Sequence, residues 1–239
     1  MYIENLGGLA AHVVGGSDRD GRGTDPVVVL LHGFGAPGDD LVALWKMIRV
    51  PDEVRFVFPV APLSLNGELQ DGRAWWMLDM EQIARDIASG RRRDVHAVPQ
   101  GLSEARSSVI ALLDELEQQW HISSEQIILG GFSQGAMLSC DTVLRTERPF
   151  AGLILLSGSL IAKEEWVPLM GKRKGLPVFQ SHGTDDPLLS FQTAETLRDL
   201  LTEHGLSLDW QEFQGGHEIP FFVLKQLGKF LQSFLGTSS

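Results

Sequence analysis

The amino-acid sequence predicts an α/β protein with a mostly parallel central sheet covered by helices on both faces. Three observations predict it. Wholly apolar, β-prone runs such as Val27-Val28-Val29-Leu30-Leu31 and Ile127-Ile128-Leu129 recur along the chain, and unbroken apolar character marks strands buried on both faces. Helix-compatible segments separate these runs, the alternation expected of parallel sheets. Several runs end in glycine-rich or polar turns, where folds of this class carry functional groups.

The elements follow in order. Tyr2 to Val14 reads as a hairpin or edge strand, and the polar loop Gly15 to Gly23 reads as mobile. Next come a strand at 27–31, a helix near 38–50, a strand at 54–58 and a long irregular region. A helix near 100–119, a strand at 126–130 and a helix at 134–146 follow. Strands at 152–157 and 177–181, a helix at 190–204, a strand at 207–213 and a helix at 219–235 complete the chain. No repeat or domain break interrupts it, so residues 1–239 are expected to form one domain.

Composition narrows the function classes. The 239 residues suffice for one substantial core, and 43% hydrophobic with 21% charged residues is ordinary for a globular protein. A net charge of −11 argues against nucleic acid or anionic membrane surfaces as partners. The lone cysteine, Cys140, excludes an internal disulfide and a multi-cysteine metal site. The start, Met1-Tyr2-Ile3-Glu4-Asn5, carries neither a basic region nor a long apolar core. No apolar run approaches the length of a membrane span. A cytoplasmic monomer or homodimer is expected.

The stretch Ile127 to Met137 carries the chemistry. An apolar strand runs into Gly131-Phe132-Ser133-Gln134-Gly135 and directly onward into a helix. That context makes G-x-S-x-G a nucleophile elbow, with the serine hydroxyl projected from a sharp turn. A helix-capping serine in a glycine-rich turn would look the same locally, so further features must decide. Val27 to Leu31 opens into His32-Gly33-Phe34-Gly35, a loop suited to one backbone donor of an oxyanion hole; the residue after the serine supplies the other. Phe34 and Gln134 are the expected donors. Pro177 to Ser181 opens into His182-Gly183-Thr184-Asp185-Asp186-Pro187, where either aspartate can orient an imidazole. Leu208 to Phe213 ends at Gly215-Gly216-His217. Six further histidines exist (His12, His32, His96, His121, His182 and His204). His182, also at a strand end, is the nearest rival, but the chain order Ser…Asp…His of α/β-hydrolases and the Gly-Gly hinge favour His217.

These motifs, with Ala74-Trp75-Trp76, resemble the phospholipase/carboxylesterase family of small α/β-hydrolases, which includes bacterial carboxylesterases and acyl-protein thioesterases. The resemblance runs from about Val27 to Phe234. It implies that Asp186, the aspartate before the proline, is the triad acid beside Ser133 and His217. It also implies cofactor-free hydrolysis of carboxylic esters by a serine carboxylesterase, with thioesters as the alternative substrate class. Phe34 stands where the family commonly has leucine, and the stretch from Trp75 to Asp79 carries an extra tryptophan and an inserted residue. The next segment, through Gly90-Arg91-Arg92-Arg93-Asp94, matches no pattern of the family.

Metal chemistry is disfavoured, because His-Glu-x-x-His is absent and neither Asp39-Asp40 nor Asp185-Asp186 has paired histidines at ligand spacing. The region around 60–98, which holds Leu78, Met80 and Ile83, is expected to form a flap over the serine, with Trp75, Trp76 and Met77 capping an acyl pocket and the arginine run solvated. Leu63 and Leu188 are further substrate-binding candidates. Short to medium straight-chain acyl esters are the expected small-molecule substrates. An acyl-protein thioesterase or lysophospholipase is the alternative within the enzyme class, and a hydrolase-fold ligand-binding protein is the alternative outside it.

Overall fold

A computed structural model describes residues 1–16, 26–65, 71–89 and 94–234. An eight-stranded sheet forms its centre. Strands β1 (Tyr2–Leu6) and β2 (Leu9–Gly15) make the N-terminal hairpin, joined by Gly7 and Gly8, both at positive φ. Such a two-residue turn matches the strands' own twist. A Cβ on Gly7 would lie 2.3 Å from the Leu112 nitrogen, so only glycine lets the turn meet the helix behind it.

Strands β3 (Val27–Leu31), β4 (Arg55–Pro59), β7 (Ile127–Phe132), β8 (Gly152–Leu156), β9 (Pro177–Gly183) and β10 (Ser207–Phe213) complete the sheet. The spatial order is β1-β2-β4-β3-β7-β8-β9-β10. Pairing is antiparallel for β1–β2 and β2–β4 and parallel throughout the rest. Every residue of β3, β4 and β8 is buried, as expected where helices cover both faces.

The helices are α1 (Met80–Ala88), α2 (Leu102–Trp120), α3 (Gln134–Arg145), α4 (Lys163–Met170), α5 (Phe191–Glu203) and α6 (Phe221–Gln232). In α2 the buried residues Leu102, Ala105, Val109, Leu112, Leu113, Leu116 and Trp120 fall at helical spacing along one stripe. That stripe joins the larger core cluster, with Met137, Leu138, Trp166, Trp75 and Trp76. Phe56, Phe58, Phe179 and the α6 residues Val223, Leu224 and Leu227 form a second cluster.

Three expectations need correction. The helix expected near 38–50 shrinks to a single 3-10 turn, Val42–Lys46. Gly38 lies at φ 103°, outside helical space, and Pro51 disfavours helical angles at Val50. Helix α4 was not anticipated, because Pro168 interrupts its pattern and only Trp166 and Met170 are buried. The region 60–98 is less irregular than expected. It holds two short antiparallel strands, β5 (Leu63–Ser64) and β6 (Arg73–Ala74), and then α1. Of the loop Gly15 to Gly23, residues 17–23 lie outside the described residues, as does the arginine run Arg91-Arg92-Arg93.

Candidate active site

Ser133 occupies the junction of β7 and α3 with φ 56° and ψ −115°, an uncommon conformation for a residue with a side chain. Such backbone strain costs on the order of 1–3 kcal/mol and persists only where surroundings enforce it. Here the Ser133 N–H donates to the Leu156 carbonyl at 2.9 Å, and its own carbonyl accepts the Met137 N–H at 3.2 Å. The flanking glycines are steric necessities. A Cβ on Gly131 would lie 2.4 Å from the Leu31 oxygen, and one on Gly135 would lie 2.0 Å from that same atom. The signature therefore records how tightly α3 is drawn over the end of β3.

Asp186 and His217 meet beyond the ends of β9 and β10. The Thr184 N–H donates to Phe213 and the Asp185 N–H to Gly215, so the two strand-end loops stay laced together. His217 Nδ1 lies 2.7 Å from Asp186 Oδ2. The other carboxylate oxygen accepts the N–H groups of Leu188 at 2.8 Å and Leu189 at 2.9 Å. Burial by itself would raise the Asp186 pKa, but the bonds from His217, Leu189 and Leu188 outweigh it and hold the carboxyl below its ordinary range. Asp185 is exposed. His182, the rival histidine, is fully buried on another side of Asp186. Its Nε2 donates to the Leu189 carbonyl at 2.8 Å and lies 3.3 Å from Asp186 Oδ2. Burial lowers its pKa and favours the neutral ring.

The His217 ring also packs on Phe132, with centroids 4.8 Å apart. Ser133 and His217 line one cavity of about 140 Å³ together with Phe34 and Gln134. In the loop after β3, the Gly35 N–H is taken by the Arg73 carbonyl and the Ala36 N–H by Gly33. One buried bracket secures both expected donor residues. The Gln134 side chain accepts the Trp75 N–H through Oε1 and donates through Nε2 to the Trp76 carbonyl, both at 2.9 Å. The Trp75 indole N–H donates to the His32 carbonyl at 3.0 Å. His32 Nδ1 lies 2.8 Å from the Gly33 oxygen, and its Nε2 accepts the Ala61 N–H.

Trp75 and Trp76 therefore do not cap the cavity. They are 2% and 1% exposed and belong to the larger core, because rings of that size contribute most when fully desolvated. Met77 is 59% exposed, and neither it nor Leu63, on β5, is among the described residues lining the cavity beside Ser133. Leu188 does line it. Leu78, Met80 and Ile83, which the sequence places in the flap segment, line it as well, and the walls not anticipated are Phe132, Met137 and Leu189. Asp79 Oδ1 accepts the Gln82 N–H at 2.8 Å, an N-cap that starts α1 and sets Met80 and Ile83 three residues apart. Met137 lies one helical turn beyond the serine.

The sequence profile of the phospholipase/carboxylesterase family matches residues 18–235. The chain belongs to the phospholipase/carboxylesterase family. Like others of this family it has the α/β-hydrolase fold. It is 27% identical to acyl-protein thioesterase 1 of Candida albicans, covering 90% of this chain and 95% of the relative. It is 32% identical to acyl-protein thioesterase 1 of Cryptococcus neoformans, covering 74% and 72%. The crystal structure of esterase PE8 superposes with a TM-score of 0.79 at 31% identity, covering 94% of this chain and 98% of the other. The Bacillus cereus carboxylesterase, at 19% identity, shares the fold with a TM-score of 0.71 over 94% of each chain. Within this phospholipase/carboxylesterase fold, the stretch from Leu78 to Ile83, just beyond the departure at Trp75-Trp76, supplies one side of the serine cavity.

Proposed function

We propose that this chain is a serine carboxylesterase that cleaves short to medium straight-chain acyl esters through an acyl-enzyme intermediate. The observation that carries it is the pairing of His217 with Asp186 at 2.7 Å in the cavity wall that also holds the strained Ser133. In this mechanism Asp186 holds the Nδ1–H tautomer of His217, leaving Nε2 to take the Ser133 proton as the hydroxyl attacks the ester carbonyl. The backbone amides of Phe34 and Gln134 stabilise the oxyanion, an effect worth about 3–4 kcal/mol for one donor in comparable sites. His217 then protonates the departing alcohol, and water repeats the sequence on the acyl-enzyme.

Thioester hydrolysis is the second reading, favoured by relatives named acyl-protein thioesterase 1; lysophospholipids are a third substrate class. The proposal includes a cytoplasmic setting, consistent with a single buried free cysteine, and action as a monomer or homodimer. Among the described residues, no helix is long and apolar enough to cross a membrane.

Fluorophosphonate labelling tests the chemistry, with stoichiometric modification of Ser133 expected and an inert protein overturning it. A p-nitrophenyl ester series run beside an acyl-thioester assigns the substrate. A rate still rising through palmitoyl esters would overturn the short-to-medium preference, and a thioester turned over faster than its matched ester would favour the second reading.

A further inference from the structure

Two apolar depressions meet at Leu78 and Met137. The first is the cavity that holds Ser133 and His217. The second, about 110 Å³, has walls from Trp76, Ala97, Pro99 and Ile161 besides the two shared residues, with Asp94 its only charged wall residue among those described. Its outer wall is built into the fold. The Ala162 N–H donates to the Ala97 carbonyl at 3.1 Å, and the Lys163 N–H donates to Val95 at 3.0 Å, pinning this stretch against the entry to α4.

Resting on the serine-hydrolase function proposed above, we propose that the second depression is the distal half of the acyl site. It takes the terminal methylenes of a medium-length, unbranched acyl group whose carbonyl lies at Ser133. Leu78 and Met137 form the sill between the halves. Met137 is 2% exposed and one helical turn from Ser133. Its unbranched thioether can shift among rotamers to let a narrow chain pass, which a β-branched residue would resist. Apolar walls reward each methylene that enters. Asp94 repels a tail ending in carboxylate. Branching near the carbonyl meets Phe34 and Phe132 in the first cavity before reaching the sill.

The test measures kcat/KM for p-nitrophenyl acetate through decanoate on the wild-type protein, on Ala97→Phe and on Ile161→Ala. Active serine is titrated beforehand with a fluorophosphonate. Each methylene entering the distal half should raise wild-type kcat/KM by about four-fold until the walls are met. Ala97→Phe fills the distal half from an exposed loop, and the octanoate-to-acetate ratio should fall at least about ten-fold, as two lost methylenes imply. Ile161→Ala enlarges the same space and should move the optimum to a longer chain. If Ala97→Phe does not fold, Ile161→Ala carries the test alone. A normal serine titre with wild-type chain-length profiles in the folded variants overturns the distal site and leaves the esterase standing. A wild-type protein with no titratable serine and no ester turnover overturns both.

Discussion

Ser133 combines backbone strain with two nearby glycines that sterics will not allow to change, so its structural role and its proposed chemical role can be separated by substitution. Ser133→Ala keeps a Cβ and removes a single hydroxyl, so ester hydrolysis should vanish while the melting temperature stays within a few degrees of wild type. A purified variant retaining more than a small fraction of turnover would remove Ser133 from its proposed role. Gly135→Ala should do the opposite kind of damage. Its Cβ would meet the Leu31 backbone oxygen at 2.0 Å, and a loss of roughly 3 kcal/mol or failure to fold is expected. Wild-type denaturant stability in that variant would contradict so close a packing of α3 on β3. The adjacent aspartates give the sharpest contrast. Asp186→Asn should lower turnover by roughly 10⁴, by favouring the wrong histidine tautomer. Asp185→Asn, changing an exposed side chain, should leave most activity. Reversed effects would reverse the assignment.

At the scale of elements, the segment from β6 to Trp76 is stitched to two others that never touch it in sequence. The Arg73 carbonyl and Trp75 indole hold the loop after β3, while the Trp75 N–H and Trp76 carbonyl hold the Gln134 side chain at the start of α3. Both expected oxyanion donors are thus set by one bracket. Trp75→Phe keeps an aromatic ring but leaves the His32 carbonyl without its indole donor, a buried loss of about 1–3 kcal/mol. If the bracket positions the donors, kcat should fall by roughly ten-fold or more with KM little changed, since oxyanion stabilisation is felt in the transition state. Steady-state kinetics on a short ester decides the matter. A variant with lower stability but unaltered kcat would make the bracket purely structural.

Across the whole molecule, two buried histidines tie stability to pH. His32, with Asp40 and Arg73 as its charged neighbours, and His182, beside Asp186 and His217, both have pKa values lowered chiefly by burial. In the unfolded chain each takes up a proton near pH 6.5, whereas in the folded protein each resists it. The unfolded state therefore binds more protons below about pH 6.5, and stability must fall as pH falls through that range. Asp186, held below its ordinary range, adds a further loss at lower pH, beginning near the unfolded carboxylate value of about 3.9. Melting temperatures should drop from about pH 7.5 to about pH 5. His32→Gln, which cannot titrate, should show a shallower slope. A flat wild-type profile would refute the coupling.

The strands, the serine elbow and the order of the candidate triad were legible in the sequence because each is local. An apolar run, a glycine pair or a strand-end turn carries its structural reason within a few residues. Turn chemistry left Asp185 and Asp186 equivalent and only the family resemblance implied Asp186, because the choice depends on which carboxylate the loop after β10 brings His217 against. The fate of the tryptophans was not local either. Trp75-Trp76 has the composition of a pocket cap, and only the packing of α2 and α3 around it turned both rings inward and left the cavity to Leu78, Met80, Ile83 and Met137. The sequence by itself determined the fold class, the nucleophile turn and the residues from which a triad could be drawn. The tertiary structure alone decided what walls the cavity, and it set Asp186, the aspartate that the family resemblance had implied, against the histidine. Those depend on distances between segments far apart in sequence, from Gly33 to His217 for the cavity walls, which periodicity and turn chemistry do not encode.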